Sequence, residues 1–120
     1  MSQYLLSVHA VEGQAPPEMT PDEMAKSMES VMALEAEMKE TGVFVFGGKL
    51  HDADVATVVR VKDGQLSMTD GPFAEAKEHI AGFYVIDVDD LDSALRWAGR
   101  VTELVGPPIE VRPFFDMPPS

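Results

Sequence analysis

The residue order predicts an α+β fold, with a β-α-β unit, then a β-hairpin, then a second β-α-β unit. Three observations carry this. Two stretches, Thr20 to Gly42 and Asp89 to Gly106, combine helical apolar spacing with their own start and stop signals. Each is flanked by apolar or alternating segments of strand length. Between the two units, Asp63-Gly64 separates two further alternating runs.

Tyr4 to Val11 reads as the first strand, with Tyr4, Leu6 and Val8 on one face and Leu5, Ser7 and His9 on the other. Glu12 to Met19 holds Gly13, Pro16 and Pro17 and reads as a loop. Thr20 is the expected N-cap of the first helix, Pro21 suits its first turn, and Glu23 completes a capping box. Gly42 is the expected stop. Met24, Met28, Val31, Leu34 and Met38 form an apolar stripe, read as adaptable core packing rather than a binding face. Glu35 falls inside the stripe and is expected to tilt to solvent.

Val43 to Phe46 reads as a short buried strand that Gly47-Gly48 ends or bends. Ala56 to Lys62 and Gln65 to Thr69 form the hairpin arms. Thr57, Val59 and Val61 share a face of the first arm; Leu66, Met68 and Asp70 share one of the second, so Asp70 continues an apolar row. Ala81 to Val88 is a strongly apolar strand. Asp89 and Asp90 cap a second helix whose buried side carries Leu91, Ala94, Leu95 and Ala98. Gly106-Pro107-Pro108 breaks the chain before the last strand, Ile109 to Phe114.

This order is a ferredoxin-like plan, with one antiparallel sheet and helices on one face. The uncovered face calls for a second copy, so a homodimer is expected, its two sheets enclosing a barrel-like cavity where a ligand would fit. Residues 1–115 are expected to form a single domain and residues 116–120 a loose, Pro-rich tail.

A chain of 120 residues supports one core. The formal net charge of −12 repels phosphate backbones and anionic lipid, which argues against nucleic-acid and membrane partners. No apolar run approaches the ~20 residues of a membrane span, and the N-terminus lacks a signal-peptide pattern, so the default expectation is cytoplasmic. The absence of cysteine excludes disulfides, thiol catalysis and thiolate metal sites. His9, His51 and His79 have no short metal-ligand spacing, and His51-Asp52-Ala53-Asp54 is too sparse for a calcium loop. No phosphate-cradling glycine loop or nucleophile elbow is present, so neither a metal nor a cofactor is expected.

The most informative stretch is Thr69-Asp70-Gly71-Pro72-Phe73 with the charged run Glu75, Lys77, Glu78 and His79. Residues 69–84 closely resemble the signature of the DGPF subgroup of YCII-related proteins. The similarity continues through residues 88–95 and 109–113, and upstream in Gly47 to Leu50 and Ala56 to Arg60. It covers nearly the whole chain, although the first strand and helix match only in pattern. The resemblance implies a dimeric α+β barrel of unsettled biochemical role. Relatives in the wider group are suspected enzymes with a His–Asp pair, and one type takes part in aromatic-compound breakdown. Members of the subgroup also often occur near genes for alternative sigma factors, which implies a sigma factor or other regulatory protein as a partner.

The residues have physical readings of their own. Gly71 and Pro72 turn the chain sharply and hold the Asp70 carboxylate in one place. That suits a general base, and it equally suits a structural turn, which is the better reading on residue type alone. His79 is the candidate proton-transfer partner of Asp70, with His9 as the alternative. Lys77 either pairs with Glu75 or Glu78 or binds a substrate carboxylate. Arg60 and Arg112 either bind an anionic ligand or form ion pairs, the second reading being favoured for each alone. Phe73 anchors the turn in the core or lines a pocket wall. Two functions follow as expectations. One is an enzyme acting on a small polar organic substrate by proton transfer, isomerisation or hydrolysis. The other is a non-catalytic module that binds a ligand or a regulatory protein.

Overall fold

The computed structural model describes residues 2–11, 18–73 and 76–116. Glu75 and residues 117–120 of the expected tail lie outside the described residues, as does most of the expected loop from Glu12.

Among the described residues, six strands and two helices follow in the predicted order: β1 (Ser2–Val11), α1 (Pro21–Glu40), β2 (Phe44–Lys49), β3 (Thr57–Lys62), β4 (Gln65–Asp70), β5 (Glu78–Val88), α2 (Leu91–Val105) and β6 (Ile109–Pro113). A single 3₁₀ turn, Ala53–Val55, precedes β3. Four strands form an antiparallel sheet in the order β2-β5-β1-β6, the ferredoxin-like arrangement, while β3 and β4 pair only with each other.

The alternation of β1 and β5 sorts the sheet into two faces. Tyr4 and Leu6 join Tyr84, Ile86 and Val88 in the core, with Leu34 and Met38 of α1 and Ala94, Ala98 and Val101 of α2. Leu6, Met38, Ile86 and Val101 are fully buried, and each contributes on the order of 1.5–3 kcal/mol relative to exposure. The opposite face carries Leu5, Ser7 and His9 beside Val85, Phe83 and Ile80. Phe46 pairs with Val85 at the β2 edge and packs its ring 5.9 Å from Phe83. A bulge lies between Val8 and His9, so that His9 pairs with Ile80 and Val11 with Glu78.

Both helices start as their sequences direct. The Glu23 N–H donates to Thr20 Oγ1 at 3.1 Å, and the Ser93 N–H to Asp90 Oδ1 at 2.9 Å. The bond from Ser93 holds the Asp90 carboxyl below its ordinary range. Asp90 alone is thus the N-cap, where Asp89 and Asp90 were expected to share the role.

The structure corrects several expectations. Met24 and Met28 are exposed, because α1 meets the body only through its C-terminal half, where Leu34 and Met38 are buried. Leu91 and Leu95 are also exposed. The seam of α2 is the small-residue row Ala94, Ala98, Val101, which lets the helix approach the sheet closely and leaves the leucines on its shoulder. Glu35 does not tilt away to solvent; it accepts a 2.6 Å hydrogen bond from the Tyr84 hydroxyl across the core edge. Burial, reinforced by that bond and the carboxylate charge, pushes the Tyr84 hydroxyl well above the ordinary tyrosine range.

The second strand does not end at Phe46 but runs on to Lys49 through both glycines. A Cβ on Gly47 would collide with the Tyr84 ring and stand 2.9 Å from the Phe83 carbonyl oxygen. The glycine is there so that β2 can lie directly over Tyr84. The strand expected at Ala81 starts instead at Glu78, which places Glu78 and His79 in the sheet rather than in a solvated loop.

The hairpin turns at Asp63 and Gly64, with φ of 52° and 78°, as the Asp-Gly pair requires. Beyond its base it extends from the body. The Cα radius of gyration is 16.8 Å, against about 14 Å for a compact chain of this length.

Candidate functional site

The site is assembled at the base of the hairpin. Asp70 pairs with Thr57 in the last rung of the β3–β4 ladder. Gly71 then takes a φ of +95°, which only glycine adopts without strain, and donates its N–H to the Ala56 carbonyl at 2.6 Å. That bond closes the hairpin and sets Pro72 and Phe73 beside the 3₁₀ turn. The Leu50 N–H, bonded to the Ala81 carbonyl at 2.8 Å, ties the chain after β2 to the start of β5.

Beside these ties lies an open cleft of about 450 Å³ between the 50–56 segment, Pro72-Phe73, and Glu78, His79 and Ile80 of β5. A depression of about 330 Å³ adjoins it, lined by Lys49 to Asp52. The residues lining the cleft combine apolar Leu50, Val55, Phe73 and Ile80 with His51, His79, Asp52 and Glu78. Such a wall suits a small amphipathic organic molecule, with an apolar body and a polar group that can exchange a proton.

The candidate residues separate here. Phe73, Glu78 and His79 line the cleft. Asp70 is exposed at the end of β4 and is not part of the wall. The turn it precedes is held by backbone groups, and among the described residues its carboxylate forms no hydrogen bond within the chain. Arg60 stands over the Phe73 ring, 5.3 Å from its centroid, a cation–π contact that braces Phe73 from the hairpin. Arg112 is exposed on β6, with its Nε 3.8 Å from Glu110 of the same strand. Lys77 is exposed immediately before β5, and Glu75 lies outside the described residues.

A second polar group lies on the uncovered sheet face. Ser7 Oγ and His9 Nε2 are 2.9 Å apart, and His9 Nδ1 is 3.9 Å from Glu78 Oε2. Ser7 is buried, and His9 Nδ1 is buried without a hydrogen-bond partner among the described residues. Glu78 therefore belongs to both places: it lines the cleft and faces His9. The bulge at Val8/His9 brings it there. The sequence marks His9 only as the alternative to His79 as the partner of Asp70, and it does not single out Ser7. The available signal was the i, i+2 spacing of Ser7 and His9, which puts both side chains on one strand face. The sequence presents His51 only as a possible metal ligand, whereas the structure places it in the cleft lining. Among the described residues no group of three or more His, Asp or Glu side chains is placed to hold a metal ion, and no helix is long and apolar enough to cross a membrane.

The family model for the YCII-related domain matches residues 3–113. An uncharacterized protein of Rhizobium meliloti (strain 1021) is 35% identical over 77 residues, which cover 64% of this chain and 62% of that relative's length.

Proposed function

Because this chain belongs to the YCII-related domain family, we propose that it is a homodimeric small-molecule-binding protein that carries out proton transfer, of isomerase or hydrolase type, in the cleft beside Gly71-Pro72-Phe73. Membership of the DGPF subgroup is part of this reading, supported by residues Asp70 to Phe73. The observation that carries it is the cleft itself, whose lining combines Leu50, Val55, Phe73 and Ile80 with His51, Asp52, Glu78 and His79. In this scheme His79 moves the proton, Phe73 and Ile80 hold the apolar body of the substrate, and His51 or Lys77 meets an anionic group. Asp70 acts through the Gly71 turn that follows it, which seats Pro72 and Phe73 in the cleft wall. Arg60 acts through Phe73 by bracing its ring.

Titration of small aromatic and aliphatic carboxylic acids, lactones and enones into isotope-labelled protein tests this. A binder is expected to shift the ring signals of His51 and His79 together with the Phe73 amide. Phe73→Ala should abolish the shifts, and His79→Gln should keep binding while losing turnover. If no compound of the panel moves these signals, or binders move signals only elsewhere, the cleft reading fails.

A non-catalytic module for a regulatory protein such as a sigma factor is the second reading, favoured by the apolar exposure of the hairpin. It predicts that Asp70→Asn weakens capture of that partner and that the protein turns over no substrate of the panel.

A further inference from the structure

The β3–β4 hairpin has an apolar face with nothing on it. Register pairs Val59 with Met68 and Val61 with Leu66, so these four side chains form one patch. They are 56%, 67%, 71% and 63% exposed respectively. The opposite face is polar except at its base, with Arg60, Lys62, Gln65, Ser67 and Thr69 beyond the buried Val58. An isolated two-stranded hairpin is marginal in water and needs something against its apolar face. The same chain also has an apolar sheet face that no helix covers, where Phe46 is 61% exposed at the β2 edge beside Phe83 and Val85.

We infer that the hairpin is an arm that packs its Val59/Val61/Leu66/Met68 row onto the uncovered sheet face of a second copy, against Phe46 and its neighbours. The inference rests on the homodimer of the proposed function and specifies how that dimer is made.

Each chain carries one unfilled row and one uncovered face, so a twofold exchange satisfies both at once and closes the assembly. Charge favours this occupant. Arg60 and Lys62 balance Asp63 and Asp70, so the arm is neutral and the net −12 lies entirely outside it. A neutral arm approaches the acidic body of another copy without the repulsion that two bodies exert on each other. The area is also adequate. The four arm residues with Phe46 expose roughly 320 Å² of apolar surface per copy, taking about 100 Å² for each fully exposed side chain. At about 60% apolar content that corresponds to roughly 1,100 Å² of total buried surface, above the ~1,000 Å² that a specific interface needs. The arm leaves the body at Ala56 and returns at Gly71, so its docking also fixes the hairpin base that forms the cleft wall.

Light scattering coupled to gel filtration, with wild type beside the double variant V61D/M68D, tests the arm. The wild type should be a dimer. The variant should weaken association at least ~100-fold and elute as a monomer with an unchanged circular dichroism spectrum, since both side chains are exposed in the single chain. A wild-type dimer that the variant leaves intact overturns the arm and spares the homodimer; a monomeric wild type overturns both. Because the chain has no cysteine, a second measurement avoids any folding defect of the aspartates. Met68→Cys and Phe46→Cys, made in separate chains and mixed, should be joined by a short thiol-reactive cross-linker. Failure to form that mixed pair while the chains remain dimeric overturns the proposed seat. Association of the arm with a different protein in place of a second copy overturns it as well.

Discussion

The four-stranded sheet and the β3–β4 hairpin obey the same alternation and meet opposite fates. In β5, every second residue from Gly82 to Val88 is buried, and Ile86 is fully enclosed beneath the two helices. In β3 and β4 the row of Val59, Val61, Leu66 and Met68 is as apolar and as regular, yet it faces outward along its whole length. The difference is one of neighbours. β1 and β5 are central strands flanked by partners and covered by α1 and α2. The hairpin pairs only with itself. An apolar row thus marks a strand face suited to burial, and among the described residues nothing covers the one on the hairpin.

The sharpest way to break that comparison is to truncate one side chain in each region. Ile86→Ala should cost about 2–4 kcal/mol in urea unfolding, through lost transfer energy and the cavity left behind. Leu66→Ala, measured at a dilution where chains are separate, should change stability by less than about 0.5 kcal/mol. Equal losses would mean that the hairpin is already packed within its own chain.

Next in size are the glycines of β2, which divide the sheet itself. Gly47→Ala puts a methyl group into the Tyr84 ring and the Phe83 carbonyl, an overpacking expected to cost about 1–3 kcal/mol. At Gly48 an added Cβ meets nothing within 4 Å, so Gly48→Ala should be close to neutral by the same unfolding assay.

Tyr84→Phe tests how α1 is tied to the sheet. Loss of the hydroxyl bond to Glu35 should cost about 1–2 kcal/mol near neutral pH. Its pH dependence has a definite sign. The folded hydroxyl holds its proton more tightly than the unfolded one, so its contribution is complete below about pH 10, the unfolded tyrosine value. It declines as pH rises above that, because only the unfolded chain then releases the proton. Wild type should therefore lose melting temperature at alkaline pH more steeply than Y84F; parallel profiles would refute the link.

At the base of the arm, Gly71→Ala forces a side chain into φ +95° and should cost about 1 kcal/mol. The smallest effect belongs to the exposed pair Arg100–Glu37, which joins the two helices. The Arg100 bond holds the Glu37 carboxyl below its ordinary value. Its contribution is present above the usual glutamate range and is lost as pH falls through the lowered one. Glu37→Gln should flatten the acid limb of the melting curve slightly, and salt should mask the difference.

Most of the architecture was legible in the residues, because caps, turns and alternation are local. Thr20, Asp90, Asp63-Gly64 and Gly71 each act on backbone groups within a few positions, so their signals survive without tertiary knowledge. What could not be read depends on distant partners. That Gly47-Gly48 continues a strand follows from the Tyr84 ring lying over it, 37 positions away from Gly47 in the chain. That Glu35 is bonded rather than solvated follows from the same ring. In the candidate site, Phe73 and His79 were legible from the turn and the charged run, whereas His51 enters the cleft only because β2 and β5 pair.

The bulge between Val8 and His9 sets the phase of everything beyond it. Up to Gly82 the two central strands run in step; after the bulge β5 has one residue more than β1. With even spacing Val11 would lie opposite His79, and an imidazole would look across at His9. The inserted residue advances the count, so a carboxylate, Glu78, takes that place, while His79 turns to the other side of the strand. One residue of slack thus selects which of two adjacent ionisable groups shares a face with His9. Were Ala81 instead drawn into the ladder opposite His9, acid would be exchanged for base at that spot without changing a single side chain.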